Sequence, residues 1–134
     1  MTARGIRGAT ISEENTKERI VRATRELLEA MMKANGLRKD DIACAFFTTT
    51  KDLNAEFPAV AARQMGWTDV ALLCGHEMDV PGALAKVVRI MLVANTEKKP
   101  EALAHVYLKE AAKLRPEMKK VRGAGSTSRT ARRK

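Results

Sequence analysis

Apolar and polar positions alternate over residues 3–11, where Arg4, Ile6 and Gly8 share one face and Gly5, Arg7 and Ala9 the other. This pattern predicts a first strand, with Arg7 flanked by side chains too small to fill the space beside its guanidinium. The period then changes. Ile20, Thr24, Leu27, Leu28, Met31 and Met32 recur at helical spacing, which predicts an amphipathic helix over 16–34. Asn15 with Glu18 reads as its capping box and Gly36 as its stop.

Ile42 to Thr49, IACAFFTT, reads as a buried strand. After a polar loop, Pro58 stands at a first-turn position for a short helix, AVAARQM, stopped at Gly66. Val70 to Cys74 is a short apolar strand, Pro81-Gly82 a turn, and 86–94 a fourth strand. Ala102 to Leu114 mixes helix-forming alanines with the strand-forming HVYL. It is read as a strand over 104–108 and one or two helical turns ending before Pro116. The order β-α-β-α-β-β-β predicts an α/β chain of α+β-like character: one mixed sheet of about five strands with helices on one face.

With 134 residues, 45% hydrophobic and 31% charged, the chain has the length and composition of one soluble domain. No apolar run approaches the ~20 residues a membrane helix needs, so no membrane partner is expected. The opening residues carry Arg4, Arg7, Glu13 and Glu14 rather than the apolar stretch of a secretory signal. Cys44 and Cys74 lack a metal-like spacing and read as reduced thiols of a cytoplasmic protein. The formal net charge of +9 is concentrated at one end: past Glu117 there is no acid, while Lys119, Lys120, Arg122, Arg129, Arg132, Arg133 and Lys134 are all cationic. This predicts a domain over 1–117 and a basic, flexible tail over 118–134 with too few apolar side chains to order itself. Its bland role is a solvated tail; a lid or a steering field for an anionic ligand comes next. Nucleic-acid contact ranks last, because no aromatic residues interleave with the charges.

Four polar side chains stand in surroundings that would otherwise be ordinary core: Arg7 in RGIRGAT, Glu77 in CGHEMDVPG, Arg89 in KVVRIMLVA and Tyr107 in HVYL. An arginine is always charged, so Arg89 within an apolar strand asks for a neutralising group. Either a carboxylate of the chain, with Glu77 the obvious partner, or an oxygen of a ligand supplies it. Common catalytic templates are absent. His76-Glu77 does not open a zincin motif, since Val80 stands where the second histidine belongs. There is no phosphate-binding glycine loop and no nucleophile elbow. Cys74 and His76 would share a strand face, which leaves a Cys–His pair open. Arg7, Arg63, Arg89, Arg115, Glu77 and Tyr107 together suit a small anion carrying carboxylates and a hydroxyl, although Arg63 and Arg115 also read as plain surface residues.

Taken together, RGIRGAT, DLNAEFPAVAAR, the CxxEMDVxGxLxxxxRxM stretch, and HVYL followed by LRP resemble, in the same order, the monofunctional chorismate mutases of the bacterial trimeric mixed α/β type. The likeness spans about residues 3 to 117. It implies a homotrimer with a barrel-like core of packed sheets, active sites between subunits, and conversion of chorismate to prephenate on the route to phenylalanine and tyrosine. By position, the likeness puts Arg89 at the ether oxygen of the breaking bond. Arg7 and Tyr107 fall at the carboxylate of the enolpyruvyl side chain. Glu77 and the backbone of Cys74 fall at the ring hydroxyl, Phe57 and Leu114 along the pocket, and Arg63 and Arg115 at its mouth. Val60 stands where relatives often carry lysine, which removes one possible mouth cation.

A Claisen rearrangement is unimolecular, so it asks for no nucleophile, proton transfer, metal or cofactor. None is expected here. A regulatory trimer that binds a small dicarboxylate without turning it over, and a basic nucleic-acid module driven by the tail, are the competing readings.

Overall fold

The computed structural model describes residues 1–116 of the chain, so the tail expected from residue 118 onward lies outside the described residues. Strand β1 (Thr2–Ile11) leads into helix α1 (Lys17–Ala34), then β2 (Ile42–Thr49), the single-turn helix α2 (Val60–Gln64), β3 (Ala71–His76), β4 (Val87–Thr96) and the two-residue β5 (Val106–Tyr107). Short 3-10 turns over Lys39–Asp41, Pro100–Ala102 and Lys109–Leu114 fill the connections. The five strands form one sheet in the order β3-β2-β4-β1-β5. The central strand β4 runs antiparallel to both neighbours, β1 and β2, while the outer pairs β1–β5 and β2–β3 are parallel. The predicted mixed sheet is therefore present, with both helices packed on the same face.

Helix α1 turns Ile20, Ala23, Thr24, Leu27, Leu28 and Met31 inward. Leu27, Leu28 and Met31 meet Ile6, Phe47, Ile90 and Leu92 of the strands and Ala59, Ala62 and Trp67 around α2 in a core whose members are nearly all inaccessible to water, while Ile20 packs with Leu53 and Val88. Each large side chain so buried contributes roughly 1.5–3 kcal/mol. Gly8 is what lets α1 approach β1 this closely: a Cβ there would run into Met31 and stand 3.1 Å from Leu27 Cδ1. The helix ends as Gly36 adopts φ +61°, with Leu37 N–H donating to Met32 O at 3.0 Å and Gly36 N–H to Lys33 O at 3.2 Å.

Two expectations need correction. The capping box of Asn15 and Glu18 does not form; Thr16 is the N-cap, and its hydroxyl accepts from Arg19 N–H at 3.2 Å. Asn15 instead crosses to the loop before α2, accepting from the backbone N–H of Asn54 (2.9 Å) and Ala55 (3.0 Å). Nor is β2 buried throughout. Ala45, Phe47 and Thr49 point into the core, but Phe46 keeps 41% of its surface exposed. The register of β2 against β4 shifts between Ile42 and Cys44, and a bulge of this kind decides which residues of an apolar run face outward.

Candidate active site

The face of the sheet opposite α1 and α2 carries the candidate chemistry. Arg7 and Ala9 of β1 lie opposite Met91 and Arg89 of β4. On the other side of β4, Thr48 lies opposite Arg89 and Phe46 opposite Met91. Arg89 thus sits at the centre of the sheet with the small residues Ala9 and Thr48 as its lateral neighbours, and the space they leave forms a cleft. Arg7, Gly8, Phe46, Thr48, Glu77, Arg89, Ile90, Met91 and Tyr107 line it around about 140 Å³. Tyr107 reaches the cleft from β5, whose register sets it against Ala9.

Glu77 follows β3 by one residue, and its N–H donates to Thr49 O at 2.8 Å, continuing the ladder. The loop it begins is tied down by the Lys51–Asp79 ion pair at 2.8 Å. At its far end the Lys86 N–H bonds the Asp52 carboxylate at 3.0 Å. The Glu77 carboxylate therefore reaches the cleft from a restrained segment. Its Oε2 accepts from the Thr48 hydroxyl at 2.5 Å and faces Arg89 Nε at 3.7 Å. The two possibilities for Arg89 are thus both partly met: an acid of the same chain stands beside it, yet that ion pair is too long for a hydrogen bond. Arg89 Nε is buried without a hydrogen-bond partner, while the side chain as a whole remains 43% accessible. Among the described residues, the Arg7 side chain has no acidic partner. Two guanidiniums with unused donors and one carboxylate held by a hydroxyl make a cleft for a ligand carrying both anionic oxygens and a hydroxyl.

His105 lies just behind Arg7. Its Nδ1 accepts the Arg7 backbone N–H at 3.0 Å. Burial first, and then the charges of Arg7 and Arg115, push its pKa from 6.5 down to about 4, so the ring is neutral at physiological pH.

Of the residues singled out in the sequence, Arg7, Glu77, Arg89 and Tyr107 converge. Cys74 is half-buried and packs against the core, and the His76 ring turns to Thr49, with Nδ1 3.1 Å from Thr49 Oγ1. Leu114 packs with Tyr107, Ala9 and Ala111 rather than in the cleft. Arg115 lies close enough to act on His105. Phe57, 66% exposed, and the exposed Arg63 of α2 stay outside the cleft of the single chain. Thr48, Phe46 and Met91 belong to the cleft without having been foreseen. The signal for them is the strand period: each shares a face with Arg89 once the β2 register is known. Among the described residues no group of His, Cys, Asp and Glu is arranged to hold a metal ion, and no helix is long and apolar enough to cross a membrane.

Comparison with known proteins gives a consistent result. Residues 3–118 match the family model described as chorismate mutase type I. The chain is 48% identical over 116 residues to chorismate mutase AroH of Thermus thermophilus, covering 86% of this chain and 95% of that protein. It is 40% identical over 119 residues to chorismate mutase AroH of Bacillus subtilis, covering 88% and 94% respectively. Among solved structures, a chorismate mutase from Clostridium thermocellum superposes with a TM-score of 0.80 at 52% identity, over 81% of this chain and 96% of that one.

Proposed function

The chain belongs to the type I chorismate mutases, and from that premise we propose how its cleft carries the rearrangement of chorismate to prephenate. The protein is an isomerase of aromatic amino acid biosynthesis. The observation that carries the proposal is the buried, unbonded Nε of Arg89 in a cleft that also presents Arg7, Glu77 and Tyr107.

In this reading Arg89 points a fixed cation at the ether oxygen. Cleavage of the C–O bond runs ahead of C–C bonding, so negative charge grows on that oxygen, and the guanidinium is attracted more strongly in the transition state than in the ground state. Glu77 keeps Arg89 in place through Oε2 and has Oε1 left for the ring hydroxyl, with the Cys74 backbone alongside. Arg7 and Tyr107 hold the enolpyruvyl carboxylate over the ring. Restraint of this flexible group supplies the second effect; orientation is worth up to ~7–11 kcal/mol in bimolecular cases and less here. Phe57 and Leu114 serve as walls, and Arg63 and Arg115 meet the ring carboxylate at the mouth. No step uses a metal or cofactor.

The active unit is a homotrimer. A cleft of about 140 Å³ falls short of the roughly 300–1,000 Å³ of a typical ligand site. Phe46, Leu73 and Met91 leave 41%, 62% and 38% of their surfaces exposed on the strands around it, a patch that a second copy would cover. A neighbouring copy would then complete the walls and bring in the groups that the single chain holds apart. The protein works in the cytoplasm, and the cations from Lys119 onward steer the dianionic substrate inward.

The test is the disappearance of chorismate absorbance with purified protein and no added metal or cofactor. Wild type should turn over and Arg89→Ala should lose at least a hundredfold in kcat. A wild type that binds chorismate without converting it, or an Arg89→Ala enzyme of normal rate, overturns the proposal.

A further inference from the structure

Strand β5 is only two residues long, pairing Val106 with Gly8 and Tyr107 with Ala9. The amide of Arg7, one residue before this paired stretch, has no strand partner on that side. The His105 ring takes the place of the missing rung, its Nδ1 accepting Arg7 N–H at 3.0 Å. Beyond the pair, Leu108 N–H donates to Ala9 O at 2.9 Å and closes the other end. The backbone next to the ring is held from behind. Asn35, the buried C-cap of α1, accepts Ala104 N–H at 2.8 Å and donates to Ala104 O at 2.9 Å, fixing the residue next to His105. A rigid path therefore runs from the end of α1 through Ala104 and His105 to the backbone beneath Arg7.

We propose that His105 is a positioning residue for the reaction: its neutral ring sets the height of Arg7 relative to Tyr107, so that both meet one carboxylate. The inference rests on Arg7 binding substrate as described above. Only the neutral ring with hydrogen on Nε2 can accept at Nδ1. A protonated ring would lose the Arg7 amide and add a cation beside Arg7 and Arg115, the charged groups that act on it. An amide that fails to find this acceptor is free to shift, and displacements near 1 Å cost about a hundredfold in well-oriented sites.

Three variants of the full chain test this. His105→Asn keeps an acceptor oxygen where Nδ1 stands; His105→Gln carries its oxygen one bond further out; His105→Leu has none. Kinetics on chorismate at pH 7 should show kcat/KM reduced about 10–100-fold in His105→Leu and His105→Gln. The loss should appear in kcat as well as in KM, because Arg7 both binds the carboxylate and restrains it over the ring. His105→Asn should recover to within about threefold of wild type. Ring nitrogen NMR shifts of wild-type His105 should show the neutral Nε2–H form at pH 5.5, a reading that needs no activity and no variant to fold. A ring half-protonated near pH 6.5, a His105→Leu enzyme with wild-type kcat/KM, or a His105→Asn enzyme no better than His105→Gln overturns the inference. Arg7→Ala in the same assay separates the two levels. If it loses activity while His105→Leu keeps it, the positioning role alone falls; if Arg7→Ala is as active as wild type, the role of Arg7 falls and that of His105 with it.

Discussion

The two faces of the sheet are written in the same strands yet obey different rules. On the helix-covered face, Ile6, Phe47, Ile90 and Leu92 are at most 2% exposed and each finds an apolar partner. On the bare face, the residues one step along the same strands are Arg7, Phe46, Arg89 and Met91, half-open and incompletely partnered. The larger buried apolar cluster lies on the first face. On the second face the buried donor Arg89 Nε is left unmatched, which asks for an explanation that the proposed ligand would supply.

The sharpest break of this comparison uses adjacent residues. Phe47→Ala should lower the unfolding free energy by about 3–5 kcal/mol through the cavity it leaves. Phe46→Ala should cost no more than about 1 kcal/mol at low protein concentration, since surface truncations act weakly. If the bare face is where copies meet, the Phe46 penalty is largest at high protein concentration and shrinks on dilution, whereas the Phe47 penalty stays the same. Urea titrations at several protein concentrations read both, and equal, dilution-independent losses would erase the distinction between the faces.

Next in size is the reacting centre. Arg89→Ala should raise the barrier by at least ~3–4 kcal/mol, the scale of a lost oxyanion donor, while the thermal midpoint moves little because the side chain is 43% accessible. Arg89→Lys should restore only part of the rate, since an ammonium is a flexible, strongly hydrated point charge. Steady-state kinetics beside a melting curve separates the two quantities. Thr48→Val comes third. It removes the 2.5 Å hydrogen bond that holds Glu77 Oε2, and a hydrogen bond to a charged group is worth about 1.5–3 kcal/mol. The loss should appear as a roughly 10- to 150-fold fall in kcat/KM, with Thr48→Ser recovering most of it.

Much of this arrangement was legible before any coordinates. The parity of RGIRGAT put Arg7 on the face opposite Ile6, and the φ +61° at Gly36 is what a glycine after an amphipathic run foretells. What stayed hidden has physical causes. Asn15 and Thr16 are adjacent residues that can both cap a helix, and only the loop at Asn54 decides which one does. In IACAFFTT the two polar residues, Thr48 and Thr49, are adjacent and fall on opposite faces, so they mark neither, and the register past the bulge near Cys44 is what shows Phe46 and Thr48 to face outward. Phe57 and Arg63 were expected at the site from family likeness, and a single chain leaves both outside its cleft.

The smallest effect tests how the two faces are joined, because His105 bridges the end of the helix layer and the bare-face cation Arg7. Its pKa is about 4 in the folded chain against 6.5 for the free side chain. Between these values the unfolded chain takes up a proton that the folded chain refuses, so stability rises with pH across this window. Going down in pH, the contribution is intact above about 6.5, declines steadily, and is fully lost once the folded-state ring itself protonates near 4. Carboxylates add acid sensitivity of their own, but His105→Asn leaves those untouched and removes only the imidazole. The difference in unfolding free energy between wild type and His105→Asn should therefore change between pH 6.5 and 4 and be flat from pH 7 to 8. A difference that is the same at pH 4.5 and pH 7.5 would mean that the ring protonates as readily in the folded chain as in the unfolded one. The contact with Arg7 would then be too weak to hold a strand end in place.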